Sequence, residues 1–164
     1  MDALQALRTR RSVRAYDGRP VPREAIEQIA DAGRLAATAR NVQPWDFVAV
    51  TRREVLRQIA DLTDYGKFIA DAGACIVVLC SDTKYYLEDG SAAAQNLLVA
   101  AAALGVGSCW VAGDKKPYTD QILAAVHAPP GKKLVALVAL GYPARTPASP
   151  PKRELGKVLH WEKF

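Results

Sequence analysis

Histidine, methionine and phenylalanine are scarce: two His, one Met and three Phe in 164 residues. His127 and His160 stand without a spaced Cys or carboxylate cluster, so no metal site is expected. Cysteine is limited to Cys75, Cys80 and Cys109, with no CxxC. Three thiols cannot all pair within one chain, and each lies in an apolar run, which predicts buried free cysteines. No secretory signal is visible, because Arg8, Arg10, Arg11 and Arg14 follow only a short apolar patch. The longest weakly polar stretch, Ala92 to Val106, is too short and Ala-rich for a membrane span. Together these absences predict a soluble cytoplasmic protein. Common catalytic signatures are missing too. Gly105-Val106-Gly107 lacks the third glycine of a dinucleotide fingerprint, and no GxxxxGK[ST] run exists. Ser91 has no nucleophile-elbow context, and Asp61 and Asp64 read as solvated helix-end groups rather than an acid–base pair.

What is present is the mixture of a globular domain, 50% hydrophobic and 24% charged. The length suits a single domain over residues 1–164 with a sizeable core. The formal charge of +5 is unevenly placed. Residues 1–23 hold six Arg against two acids and residues 145–164 hold five basic residues against two acids, while the middle is slightly acidic. No zinc-finger spacing, KH-type Gly loop or aromatic-interleaved basic strand accompanies the charge, so nucleic acid is not the expected partner. A small anionic ligand gripped by the two basic ends uses such a distribution better.

Helical spacing is read at Asp2 to Arg10, with Leu4 and Leu7 on one face, and from Pro22 to about Ala37. It recurs at Arg53 to Leu62, Asp89 to Leu104 and Tyr118 to Val126. Strands are read at Trp45 to Val50, Ala74 to Leu79, Ser108 to Val111 and Leu134 to Leu140. Mixed strands and helices without repeat or linker predict one α+β or three-layer α/β/α domain. A Pro-rich connector then leads to an aromatic tail with Trp161 and Phe164, which could dock on its own core or on a partner.

Three clusters carry candidate chemistry. Arg10-Arg11-Ser12-Val13-Arg14 offers fork-shaped guanidiniums and a hydroxyl to a phosphate, or is simply a solvated basic helix end. Asn41-Val42-Gln43-Pro44-Trp45 offers two amides that could read the polar edge of a heteroaromatic ring, or is a turn anchored by a buried Trp. Lys152-Arg153 is a solubilising surface pair or a second grip on the same anion. With so little acid–base machinery, a cofactor would carry the difficult chemistry, and flavin mononucleotide (FMN) accounts for all three clusters.

These segments, in this order, resemble the nitroreductase superfamily of FMN-dependent oxidoreductases. Supporting the likeness are Asp89-Gly90-Ser91-Ala92-Ala93-Ala94-Gln95-Asn96-Leu97, Leu104-Gly105-Val106-Gly107-Ser108 and Leu140-Gly141-Tyr142-Pro143. The resemblance implies a three-layer α/β/α fold around a mixed, largely antiparallel sheet. It implies an intertwined homodimer with FMN at the interface and tail 145–164 extending onto the partner. Arg10, Ser12 and Arg14 would lie near the phosphate and ribityl chain, with Arg11 beside the ring through its backbone. Thr38, Ala39, Asn41 and Gln43 would lie near the pyrimidine edge, and Lys152 and Arg153 would complete the phosphate grip. The loop from Trp110 to Gly113 would bring a backbone N–H of Val111, Ala112 or Gly113 to the flavin N5. Hydride would come from NADH or NADPH and pass, by a ping-pong cycle, to a small conjugated acceptor such as a nitroaromatic or quinone. Specialised branches implied as alternatives are reductive dehalogenation, flavin-consuming synthesis, and a flavin-binding dimer without significant reductase activity. Arg40 departs from the family's usual small hydroxyl residue, and Tyr65, Lys67 and Phe68 occupy a region that could border the substrate pocket.

Overall fold

In the computed structural model, which describes residues 1–164, the two continuous apolar runs lie side by side at the centre of one sheet. Strands β1 (Trp45–Val50), β2 (Ala74–Ser81), β3 (Gly107–Ala112) and β4 (Lys132–Gly141) take the order β1-β2-β4-β3, and every neighbouring pair is antiparallel. The register sets Trp45 against Cys80, Ala74 against Leu140 and Gly107 against Gly141. Because β2 and β4 are covered on both faces, each is apolar at nearly every position rather than at alternate ones.

Side-chain alternation divides the core in two. Ile76, Val78 and Cys80 of β2 join Val138 and Leu140 of β4 on one face. Helices α2 (Arg23–Arg34) and α4 (Tyr86–Ala103) cover that face through Ile26, Ile29, Leu97 and Ala101. Cys75, Val77 and Leu79 join Leu137 and Ala139 on the other, covered by α3 (Arg53–Leu62) and α5 (Thr119–Ala125) through Leu56, Ile59 and Ile122. A bulge at Val78/Leu79 sets Val135 and Ala136, consecutive on β4, into the same cluster. The result is the expected α+β, three-layer architecture. Its mixed element comes from residues 12–16, where Ser12 pairs in parallel with Ser108 and Val13 N–H donates to Ser108 O at 2.9 Å.

The helix ends follow their local chemistry. Asp2 caps α1 (Ala3–Thr9) by accepting from Gln5 N–H at 2.8 Å. Pro22 sits at the N-cap of α2 rather than inside its first turn, and α2 ends at Arg34. Helix α4 starts at Tyr86, three residues before the expected Asp89, and its first residues Tyr86 and Leu87 pack against the core. Gly90 lets α4 lie against β4: a Cβ there would meet Val135 at 2.7 Å and Cys80 at 2.9 Å.

Two surfaces invert the apolar-inside expectation. On α1 only Ala6 is buried, and Leu4 and Leu7 are 63% and 51% exposed. Residues 151–164 are exposed throughout, including Leu155, Trp161 and Phe164. The tail's own contact is local, with His160 stacked on Phe164 at 4.2 Å. No helix is long and apolar enough to cross a membrane.

Candidate functional site

Burial of Val13 in the core turns its neighbours Ser12 and Arg14 the other way. Both line a cavity of about 480 Å³, together with Arg8, Arg10, Arg11 and Lys152. Arg10 enters it as the C-cap of α1, its N–H donating to Ala6 O at 2.8 Å. Arg11 spends its guanidinium on the protein itself, donating to Ser149 Oγ at 2.7 Å and to the carbonyls of Arg8 and Arg10 at 2.8 Å each. Ser149 belongs to the connector, so this bond closes the connector over the cavity. Arg8, Arg10, Arg14 and Lys152 form no ion pair. Converging cations without a carboxylate repel one another, and an oxyanion relieves that repulsion while accepting their hydrogen bonds. Ser108 Oγ, buried beside Arg10 and Arg11, has no hydrogen-bond partner within the protein. Arg153, by contrast, does not line the cavity, and its Nη2 donates to Lys157 O at 2.5 Å within the tail.

The amide turn is held in an uncommon backbone shape. Arg40, Asn41 and Gln43 have φ of 55°, 57° and 50°, in the left-handed region that non-glycine residues rarely occupy. Asp89, buried in the first turn of α4, holds it there: its Oδ2 accepts from Thr38 Oγ1 at 2.9 Å and its Oδ1 from Ala39 N–H at 3.1 Å. Thr38 Oγ1 in turn accepts from Gln43 N–H at 3.2 Å, and Gln43 Nε2 donates to Asn41 Oδ1 at 3.1 Å. Asn41 and Gln43 remain exposed. Asp89 was visible in the sequence only as the start of a helix. An acid followed by the small residues Gly90, Ser91 and Ala92 in a first turn is the signal that marks it.

Trp110 to Ala112 form the end of β3, as the strand reading of Ser108 to Val111 expected, so the loop that the resemblance implied over Trp110 to Gly113 begins only after Ala112. Gly113 N–H and Asp114 N–H donate to Val135 O at 3.2 and 3.3 Å, so the Gly113 donor is committed to the sheet. By the alternation of an antiparallel ladder, Ala112 then turns its N–H and C=O away from β4. Its carbonyl indeed accepts from Tyr118 Oη at 2.5 Å. Val111, one position earlier, points its backbone groups into the ladder. Ser12 lies beside Ser108, four residues below Ala112, a span of about 13 Å along the strand. The basic cavity and the Ala112 edge therefore share one side of the sheet. The 38–43 turn leads into β1 on the opposite side, about 14 Å away across three strand spacings. One chain does not bring the amides to the cations.

None of the remaining candidates lines the basic cavity. Burial pushes the thiols of Cys75 and Cys80 up to about 12 and raises that of Cys109, so none is a thiolate nucleophile at neutral pH. Phe68 packs on the α3-side core and faces Tyr16 at 6.3 Å, Lys67 Nζ donates to Asp61 O at 2.9 Å, and Tyr65 is 86% exposed. No group of three or more His, Cys, Asp and Glu is placed to hold a metal ion.

The model of the nitroreductase family matches residues 7–72 and 65–142. A protein of Methanothermobacter thermautotrophicus, provisionally named NADH dehydrogenase/NAD(P)H nitroreductase, is 35% identical over 91% of this chain and 81% of its own. A protein of Archaeoglobus fulgidus with the same provisional name is 37% identical over 87% of this chain and 86% of its own. Among solved structures, an FMN-dependent nitroreductase of Clostridium difficile superposes with a TM-score of 0.88 at 26% identity, covering 98% of this chain and 99% of its own. A provisionally named nitroreductase of Desulfovibrio desulfuricans, solved in complex with FMN, gives 0.86 at 31% identity, covering 100% of this chain and 98% of its own.

Proposed function

The chain belongs to the nitroreductase family and is an FMN-dependent NAD(P)H oxidoreductase, and from that premise we propose a reductase of small conjugated acceptors whose sites are completed by a second copy of the chain. When bound, FMN would supply the redox chemistry by which electrons from NADH or NADPH reach a nitroaromatic or quinone in a ping-pong cycle. The observation that carries this reading is the unpaired basic cavity beside the outward edge of β3.

The residues fit the cofactor. Arg10, Arg14 and Lys152 supply positive donors for a phosphate, and Ser12 supplies a polar contact for its sugar chain. Arg11 closes the connector over the cavity and so keeps Lys152 in place. Ala112 offers the outward backbone N–H suited to a hydrogen bond with N5, a fixed dipole that requires no reorganisation during the reaction. Thr38, Ala39, Asn41 and Gln43 serve the pyrimidine edge of the partner's site, because their own chain holds them across the sheet from its cations. Arg153, tied to Lys157 O, is assigned to the tail.

The homodimer is supported by apolar surface that one chain leaves uncovered. Leu4 and Leu7 of α1 and Leu155, Val158, Leu159, Trp161 and Phe164 of the tail are all exposed. Burial on a partner would gain about 1.5–3 kcal/mol for each large apolar side chain. The three buried, unpaired thiols fit a reducing cytoplasm. An absorption spectrum of the purified protein, followed by anaerobic reduction with NADH and with NADPH, tests donor and cofactor together. The expected result is a flavin spectrum bleached by at least one donor. Protein that neither carries nor takes up FMN would refute the assignment.

A further inference from the structure

We propose that the cavity between the 38–43 turn and the start of α4 is a subsite for the carboxylate of an aromatic electron acceptor, with Arg40 and Lys84 as its specificity-determining cations. The proposal rests on the reductase reading above. The cavity measures about 130 Å³, room for a carboxylate and the ring edge that bears it. Arg40 and Lys84 line it, and neither forms an ion pair. Asp89 also lines it, but both its oxygens are engaged by Thr38 and Ala39. Asp82, close by in sequence, pairs with Lys133 at 3.2 Å. Two cations therefore face the cavity against one satisfied carboxylate.

Thr83 Oγ1 is buried in the cavity lining and has no hydrogen-bond partner within the protein. A carboxylate would accept a hydrogen bond from that hydroxyl and satisfy it. Val42 and Tyr85, 50% and 41% exposed, also line it and add apolar surface suited to a ring, with Lys84 Nζ 5.1 Å from the Tyr85 ring centroid. Arg40 lines the cavity from a left-handed backbone position, φ 55°, in the turn that Asp89 anchors.

The test measures kcat/KM of wild type, Arg40→Gln, Lys84→Gln and the double variant with para-nitrobenzoate and with uncharged para-nitrotoluene, using NADH and NADPH in turn. A calorimetric titration with benzoate reads the subsite without turnover. The ratio of kcat/KM for para-nitrobenzoate to that for para-nitrotoluene is expected to fall about tenfold in the double variant, through the KM of para-nitrobenzoate. Benzoate should bind the double variant more weakly by a similar factor. Equal losses on both acceptors, or an unchanged ratio between them, would overturn the proposal. A loss confined to NADPH relative to NADH would put the oxyanion on the donor and overturn the acceptor assignment. Were no acceptor reduced at all, the reductase reading would fail and benzoate alone would decide: unchanged or absent binding counts against the subsite, weakened binding for it.

Discussion

Replacing Asp89 with alanine removes the anchor of the amide turn without touching its amides. The carboxylate accepts two hydrogen bonds, from the Thr38 hydroxyl at 2.9 Å and from Ala39 N–H at 3.1 Å. Charge-assisted bonds of this kind contribute about 1.5–3 kcal/mol each, or about 3–6 together. Against them stand three left-handed residues, of which Arg40 and Gln43 cost about 1–2 kcal/mol each and Asn41 less, about 3 in all. The two sums are close, so the turn keeps its shape only while the anchor is present. Asp89→Ala should therefore relax residues 38–43 to ordinary backbone angles, recovering strain as it loses hydrogen bonds. The net cost to the fold is then small, about 1–2 kcal/mol, which is a fall in Tm of roughly 3–8 °C at this chain length. The cost to FMN is larger in proportion, because binding must rebuild the strained turn. A loss of about ten- to a hundredfold in affinity is expected, as 1.4 kcal/mol is a factor of ten. Fluorescence titration of the flavin-free protein gives the affinity, and amide hydrogen exchange at residues 38–43 reports the relaxation. Asp89→Asn should fall between the two, since one amide oxygen still accepts while its NH2 faces a donor. Asp89→Ala with wild-type FMN affinity and a wild-type melting curve would refute the account of the turn.

Arg14→Ala should weaken FMN binding by about ten- to a hundredfold, the loss of one charge-assisted contact of about 1.5–3 kcal/mol, read by the same titration; unchanged affinity removes Arg14 from the site. Removing residues 151–164 should turn a dimer into a monomer by light scattering, because burying even half of what its five exposed apolar side chains could contribute changes dimer affinity a few hundredfold or more. Cys75, Cys80 and Cys109 should resist a thiol reagent at pH 8 in the folded protein and all react in denaturant, since burial raises their pKa and blocks access. Tyr86 donates to Asp114 Oδ1 at 2.7 Å, and that bond, which only the protonated phenol can make, raises its pKa to about 12. Its contribution to stability should be constant below about pH 10 and vanish as pH rises towards 12; an ultraviolet titration of wild type against Tyr86→Phe that finds the phenol ionising near 10 would contradict it.

Much of the fold was legible residue by residue. Trp45–Val50 and Arg53–Leu62 match their periodicity end to end, and β2 and β4 stand out because burial on both faces leaves a continuous apolar run. The clusters at 10–14 and 41–45 stand out as candidates through residue types suited to phosphate and heterocycle edges. What misled was pattern without context. Leu4 and Leu7 have core spacing, yet face outward, because spacing records which side of a helix is apolar and says nothing of what covers it. The early start of α4 went unread because an Ala-rich helix buried on several sides shows no clear period to mark where it begins, and with it went the placement of Asp89 in a buried first turn.

By itself, then, the sequence determined the element types, the two-faced burial of the central strands and the chemistry of each candidate cluster, since these follow from side-chain period and functional group. Only the tertiary structure decided which clusters meet. The strand order puts the cations of residues 8–14 along β3 and the amides of residues 38–43 beyond β1, on opposite edges of one sheet. It also turned the Ala112 N–H outward, committed the Gly113 N–H to Val135 and set Asp89 beneath the strained turn. The physical reason is the same in each case: a hydrogen-bond register and a strand order join residues far apart in the chain, and no local period records them.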